Sequence, residues 1–245
     1  MKKYKSSVIQ TLLVLSKYSD ENHILRISEI FHYLAEEFNI SIDRRTLYAN
    51  IDILNQAGVE VSTFSDNGVG YYLLSRIFEP SEVSILCHQV ASTGLLTAQY
   101  SHDLIEKLLS TQSDYTASSI KQHLVNKYNH KTENNEILLN MELLLDAISL
   151  KKMIKIHYNE YNLNKKLVTK KKREFYELNP YHVVISDDLP YLVCRFEDYD
   201  DLAFYRIDYM KKVEILSKES KPLDAKFDPY SYVRSHTYMF NGHVE

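Results

Sequence analysis

The chain has 245 residues, enough for two or three modest domains that each bury a core. With 44% hydrophobic and 25% charged residues it has the composition of a soluble globular protein, and it holds no apolar run long enough for a transmembrane helix. A net charge of −4 excludes a protein that coats nucleic acid by charge alone, so any basic surface must be local. The clearest such place is residues 151–173, where nine basic residues face the single acid Glu160.

The N-terminus is basic through Lys2, Lys3 and Lys5. The apolar stretch Val8–Leu15 that follows is broken by Gln10 and Thr11 and lacks a small-residue cleavage site. It reads as an amphipathic helix over Tyr4–Tyr18 rather than a signal peptide. Cys87 and Cys194 lie far apart with no Cys or His at ligand spacing, as expected of inert thiols in a reducing cytoplasm. No metal and no cofactor is expected. A second helix is predicted after Ser28 as N-cap, with Glu29 in its first turn and Ile30, Phe31, Leu34 and Phe38 buried. Asp43 reads as the N-cap of a third helix that buries Leu47, Ile51 and Leu54 and stops at Gly58. Strands at Glu60–Ser65 and Tyr71–Leu74, joined by Asp66-Asn67-Gly68-Val69-Gly70, complete a hairpin. Three helices and a hairpin within residues 1–78 are the order of a winged helix-turn-helix.

Residues 79–150 are helical in pattern and read as a linker or dimerisation region. Pro80 opens a helix with the stripe Val83, Leu86, Cys87 and Val90, and Leu104, Ile105, Leu108 and Leu109 form the next. The polar patch Asn126–Asn135 reads as a loop. Beyond it Ile137, Leu138, Met141, Leu144, Leu145 and Ile148, broadened by Leu139 and Leu143, form an arc wide enough to be covered on more than one side. From Met153 the period changes to two: Ile154–Tyr158, Tyr176–Ile185, Tyr191–Glu197, Ala203–Ile207 and Val213–Leu216 are five short strands, which predict a small barrel or strongly bent sheet over residues 151–218.

On the third helix, Arg45, Tyr48, Ala49 and Asp52 lie opposite the buried stripe, with Arg44 and Thr46 in the first turn. The major groove admits one helix, so Arg44 and Arg45 suit guanine edges or phosphates, while Thr46 and Tyr48 suit phosphate or thymine methyl groups. Asn67 and Gly68 at the wing tip are further candidates for phosphate. This segment resembles the winged helix of DeoR-like regulators joined to WYL domains, whose usual run is Arg-Thr-Val-Tyr-Arg-Asp-Ile. Here Arg45, Thr46, Tyr48 and Ile51 match it, while Ala49 and Asn50 replace its arginine and aspartate.

The same family implies a WYL domain, an Sm-like or SH3-like barrel, and an α+β multidomain chain. Ile156-His157-Tyr158, Asn179–Val184, Tyr191-Leu192-Val193 and Tyr205-Arg206-Ile207-Asp208 resemble its motifs in order, with Pro190 in place of the naming tryptophan and Tyr209 in place of a second arginine. Strands that bring Tyr158, Tyr181, His182, Tyr191, Arg195 and Arg206 to one rim would offer stacking faces beside cationic forks, suited to a nucleotide or a short single strand. The resemblance implies a ligand derived from nucleic acid. Arg206 needs an anionic partner, which is either that ligand or an internal acid such as Asp208.

The expected protein is therefore a cytoplasmic, non-membrane, homodimeric regulator that binds a double-stranded operator and senses a nucleotide-like ligand. The rival is an RNA-binding or protein-interaction adaptor without an operator. An enzyme is not expected, because no Gly-rich phosphate loop, G-x-S-x-G or H-E-x-x-H occurs. Lys165, Lys166, Lys170, Lys171, Lys172 and Arg173 read as a solvated hairpin. Residues 219–245 resemble a linker toward a C-terminal extension that the sequence does not contain.

Overall fold

The computed structural model describes residues 6–124, 131–161, 167–169, 174–186, 188–197, 199, 201–223 and 227–228. The chain divides into two compact units, Met1–Ser92 with Ser101–Lys127, and Thr93–Tyr100 with Tyr128–Glu245. Lys2, Lys3 and Lys5, the lysine-rich run 165–173 (its three-residue strand apart) and the chain beyond Asp228 lie outside the described residues.

The first unit opens with α1 (Ser7–Tyr18), α2 (Ile27–Phe38) and α3 (Arg44–Gln56). Their inward stripes meet in one core, where Leu15, Ile30, Leu34 and Leu47 are fully buried and Ile51 and Leu54 nearly so. The cap of α2 is not Ser28. The helix begins two residues earlier, because the Glu29 carboxylate accepts a hydrogen bond from the Arg26 backbone N–H at 2.7 Å. Asp43 caps α3 as expected, accepting from the Thr46 N–H at 2.7 Å, and Gly58 ends the helix with a left-handed φ of 84°.

The hairpin is shorter than the sequence predicts, with β1 (Val61–Ser62) pairing antiparallel to β2 (Tyr72–Leu73). Its connection is a single helical turn, α4 (Phe64–Asn67), rather than a tight turn. The cause is local: Asp66 accepts from the Thr63 N–H and hydroxyl at 2.7 and 2.8 Å, and Gly68 closes the turn at φ 71°. A third one-residue strand joins on the other side, where Leu25 and Tyr71 exchange backbone hydrogen bonds of 2.9 and 2.8 Å. Helices α5 (Pro80–Ser92), α6 (Ala98–Leu109) and α7 (Asp114–His123) follow, with Val83, Cys87, Ala91, Ile105 and Leu109 buried between them. Arg76 ties these helices to the first three, donating to the carbonyls of Ser16, Ser19 and Thr111 at 3.1, 2.6 and 3.3 Å. Asp20 does the same from the other side, accepting from the hydroxyls of Ser113 and Thr116.

In the second unit α8 (Ile137–Ser149) packs on a six-stranded antiparallel sheet. The helix expected at the end of a linker is thus part of the sheet's core. Its inward face is also rotated from the expected arc: Ile137, Asn140, Leu144 and Ala147 are buried, while Leu138, Leu139 and Leu145 are about half exposed. The strands are β3 (Lys152–Tyr161), β4 (Leu167–Thr169), β5 (Tyr176–Ser186), β6 (Leu189–Phe196), β7 (Leu202–Arg206) and β8 (Met210–Glu219). Strand β3 pairs with β5 on one edge and with β8 and β4 on the other, and β6 and β7 extend the sheet beyond β5. Among the described residues no ladder joins β7 to β8, so the strands form an open sheet and the expected barrel is not closed. A 3₁₀ turn over Ile207–Tyr209 takes the chain from β7 to β8, leaving the β7 edge before β8 pairs with β3. No helix among the described residues is long and apolar enough to cross a membrane.

Gly70 supplies a direct test of the hairpin. A Cβ there would stand 2.2 Å from the Leu25 carbonyl oxygen, a distance that backbone on both sides must move to relieve. Gly70→Ala is expected to destabilise the first unit by about 1–3 kcal/mol, as overpacking does. Thermal melting followed by circular dichroism measures it, and an unchanged midpoint would show that the Leu25–Tyr71 bridge is not held as described.

Candidate functional site

Two surfaces carry the residues singled out in the sequence, one in each unit. In the first, α3 presents Arg44, Arg45, Tyr48 and Ala49 to solvent, while Leu47 and Asn50 point inward. A groove of about 620 Å³ runs beside it, lined among others by Arg26, Arg44, Tyr48, Asp52, Phe64 and Tyr71. Arg26 was not foreseen there; it reaches the groove because α2 begins at Ile27. Thr46 is half-buried, and its N–H and hydroxyl both serve the Asp43 cap, which holds the Asp43 carboxyl below its usual range. At the wing, the Asn67 amide is fully engaged. It donates to the Ser62 hydroxyl and the Gly70 carbonyl at 3.0 Å each and accepts from the N–H groups of Val69 and Gly70 at 2.7 and 2.9 Å. The side chain expected to meet phosphate therefore builds the wing, and Gly68 caps its helical turn. The exposed residues between the two strands are Phe64, Ser65, Asp66, Gly68 and Val69, so the wing presents one carboxylate and no cation there.

Asn50 is also structural. It is buried, donates to the Thr11 hydroxyl at 3.0 Å and accepts from the Ser7 hydroxyl at 3.3 Å, fixing α3 against α1. The angle at which Arg45 and Tyr48 are presented depends on that contact.

The second surface is the face of β5, β6 and β7 turned away from α8. Side chains opposite one another in adjacent strands share a face. His182 lies opposite Val193 and Val184 opposite Tyr191, while Tyr191 lies opposite Arg206, Val193 opposite Phe204 and Arg195 opposite Leu202. The register slips between Pro180 and His182, leaving Tyr181 as an extra residue. Its ring stands 5.9 Å from the Arg195 guanidinium carbon. Tyr181, His182, Tyr191, Arg195 and Arg206 are thus brought to one face. Tyr158 is not. Ile154, Ile156 and Tyr158 alternate inward on β3, and the Tyr158 ring packs in the core, edge-on to Tyr205 at 4.7 Å and to Tyr176 at 6.4 Å. Burial pushes its phenol up, and its hydroxyl accepts from the Arg206 backbone N–H at 3.2 Å.

The partner of Arg206 is internal. Its Nε and Nη2 donate to the two carboxylate oxygens of Asp208 at 3.0 and 2.6 Å, and its guanidinium lies 4.1 Å from the Tyr209 ring centroid. Burial is the largest influence and works against the charge of Arg206, but its hydrogen bonds to Asp208 together with the nearby negative charge of that carboxylate outweigh it, so the guanidinium is held above its usual range. Asp208 sits on the 3₁₀ turn, and Asn134 and Asn140 hold that turn from behind. Asn134 Nδ2 donates to the carbonyls of Asp208 and Met210 at 2.9 and 2.7 Å, and Asn140 Nδ2 to that of Met210 at 2.9 Å. The sequence offered one signal for this: two asparagines beside an apolar helix, one of them inside its stripe. At the other end of the face the ring of Phe227 lies over His182, 5.9 Å away.

Residues 140–215 match the WYL domain. The match runs from the middle of α8 to β8, so it contains the whole of this face and the Arg206–Asp208 pair. No curated protein matches the chain. Among solved structures the chain is similar to Proteasome accessory factor B/C (PafBC) of Arthrobacter aurescens, at 13% identity and a TM-score of 0.36, over 95% of this chain and 34% of that one. The chain thus spans about a third of the length of that protein.

Three features of the WYL domain bear on chemistry. Among the described residues no group of His, Cys, Asp and Glu could hold a metal ion. Burial pushes the Cys194 thiol up, which makes it a poor nucleophile. Among the described residues the buried Tyr181 hydroxyl has no hydrogen-bond partner. Leaving a buried hydroxyl unpaired costs about 1–3 kcal/mol. Tyr181→Phe is therefore expected to leave the melting midpoint unchanged or to raise it. A midpoint lowered by several degrees would mean that the hydroxyl has a structural partner.

Proposed function

We propose that the chain is a transcriptional regulator that binds a double-stranded operator through its first three helices and hairpin, acting as a winged helix-turn-helix, and that its WYL domain senses a nucleotide-like or short single-stranded nucleic-acid ligand. The observation that carries the first half is the exposed row Arg44, Arg45 and Tyr48 on α3, with Arg26 and Arg44 both lining the groove beside it. Asn50 faces inward and bonds to α1, and with Ala49 exposed the cations of that side are Arg44 and Arg45. The second half rests on the WYL match and on the shared face of Tyr181, His182, Tyr191, Arg195 and Arg206, which offers rings for stacking and guanidinium groups for phosphate.

Arg45→Ala tests the first half. Selection of genomic fragments by the parent protein is expected to enrich a short site, and the variant is expected to bind it more weakly by about 1–3 kcal/mol if Arg45 meets a base edge. Loss at one base position alone marks a base contact, whereas a uniform loss marks phosphate. Equal binding by fluorescence anisotropy at fixed salt, or no site enriched at all, favours the adaptor reading instead.

A two-fold operator needs a two-fold protein. We take the regulator to be a cytoplasmic homodimer through its helical region, supported by the half-exposed Leu138, Leu139 and Leu145 of α8. Sedimentation is expected to give a dimer at micromolar concentration, and a monomer both with and without operator would contradict it.

A further inference from the structure

We infer that Asp208 is a built-in competitor for the ligand, occupying the Arg206 fork with a carboxylate until an anionic group of the ligand displaces it. The inference rests on the proposed ligand face and adds its regulation.

The bidentate geometry of the pair, at 3.0 and 2.6 Å, is the geometry in which an arginine takes a phosphate, so carboxylate and phosphate compete for the same two N–H groups. The two partners differ in burial. The Arg206 side chain is 27% exposed while that of Asp208 is 7% exposed, so the guanidinium is the member of the pair that an incoming anion can reach. Tyr191 stands directly across the ladder from Arg206 and belongs to the same face as His182 and Arg195. A ligand that stacks there brings its anion to the fork.

Displacement has a structural outlet. Asp208 lies on the 3₁₀ turn whose carbonyls are held by Asn134 and Asn140, and the Lys212 N–H donates to the Glu136 carboxylate at 2.9 Å. Asn134, Glu136 and Asn140 belong to the start of α8 and the segment that leads into it. A released Asp208 changes the load on this turn, and the turn passes it to α8. Ligand occupancy and the position of that segment are then linked.

The test compares variants of the full chain in two titrations, one with 5′-phosphorylated pentathymidylate and one with adenosine 5′-monophosphate. The two probes separate a single strand from a free nucleotide as the source of the anion. Asp208→Asn keeps the size of the side chain and removes its charge, and is expected to bind at least one probe about tenfold more tightly than the parent. Asp208→Glu restores the charge and is expected to return affinity toward that of the parent. Arg206→Lys keeps the balance of charge but loses the fork, and is expected to weaken binding in both backgrounds. A parent that binds while Asp208→Asn binds equally or more weakly overturns the competitor and leaves the ligand face standing. No binding of either probe by parent or variant overturns the ligand face, and the competitor with it. Should Asp208→Asn fail to fold, the parent itself decides: the Arg206 Nε–H resonance is expected to move when the probe saturates the protein, and an unmoved resonance at saturation overturns the inference.

Discussion

An arginine partly buried on a sheet face is costly without an anion, and in this chain the match sits two residues along, where the sheet breaks. The Arg206–Asp208 pair forms because the chain leaves β7 through a 3₁₀ turn that brings the Asp208 carboxylate back under the guanidinium. That turn is held by the amides of Asn134, which donates to the carbonyls of Asp208 and of Met210 at the start of β8, and Asn140, which donates to that of Met210. The asparagines in turn fix the register of α8 on the sheet. Ile137, Leu144 and Ala147 face Ile154, Ile156 and Leu178 in one core as a result. One ion pair, one turn and one helix face are therefore interdependent, and the charged face of the WYL domain is their outer surface.

A polar contact plays the same organising part in the first unit. Asn50 is buried, and its bonds to Ser7 and Thr11 set how α3 lies against α1. The exposed side of α3 is aimed by that contact and by the hydrophobic stripe on its other side. The hairpin is held at the correct distance by the absence of a side chain at Gly70, where the backbone of Leu25 approaches closely. Both units thus place their outward residues through buried hydrogen bonds as well as through apolar packing.

The main elements were legible in the sequence wherever periodicity and caps agreed. Asp43 and Gly58 mark the ends of α3 correctly because one carboxylate and one left-handed residue decide them. The strands of the WYL domain were legible from period two, which also explains why Tyr158 belongs to the core: it has the same parity as Ile154 and Ile156. What the sequence hid were choices settled by partners distant in the chain. The inward face of α8 could not be read from hydrophobicity, because Asn140 replaces an apolar residue at its centre to meet the Met210 carbonyl. Asn67 looked like a free amide at a wing tip but is engaged by four bonds within its own loop. Tyr181, His182, Tyr191, Arg195 and Arg206 were legible as neighbours on one rim; the slip in register that sets Tyr181 beside Arg195 was not.

The proposal that the outer face of β5, β6 and β7 receives a nucleotide-like ligand joins these observations. Photo-crosslinking tests it most directly. A pentathymidylate with 4-thiothymidine at its centre is bound to the full chain, irradiated, and located by peptide mass spectrometry. The account predicts attachment to the peptides that carry Tyr181 and His182 or Tyr191 and Arg195. Attachment confined to α3, or to the lysine-rich run at residues 165–173, would contradict it.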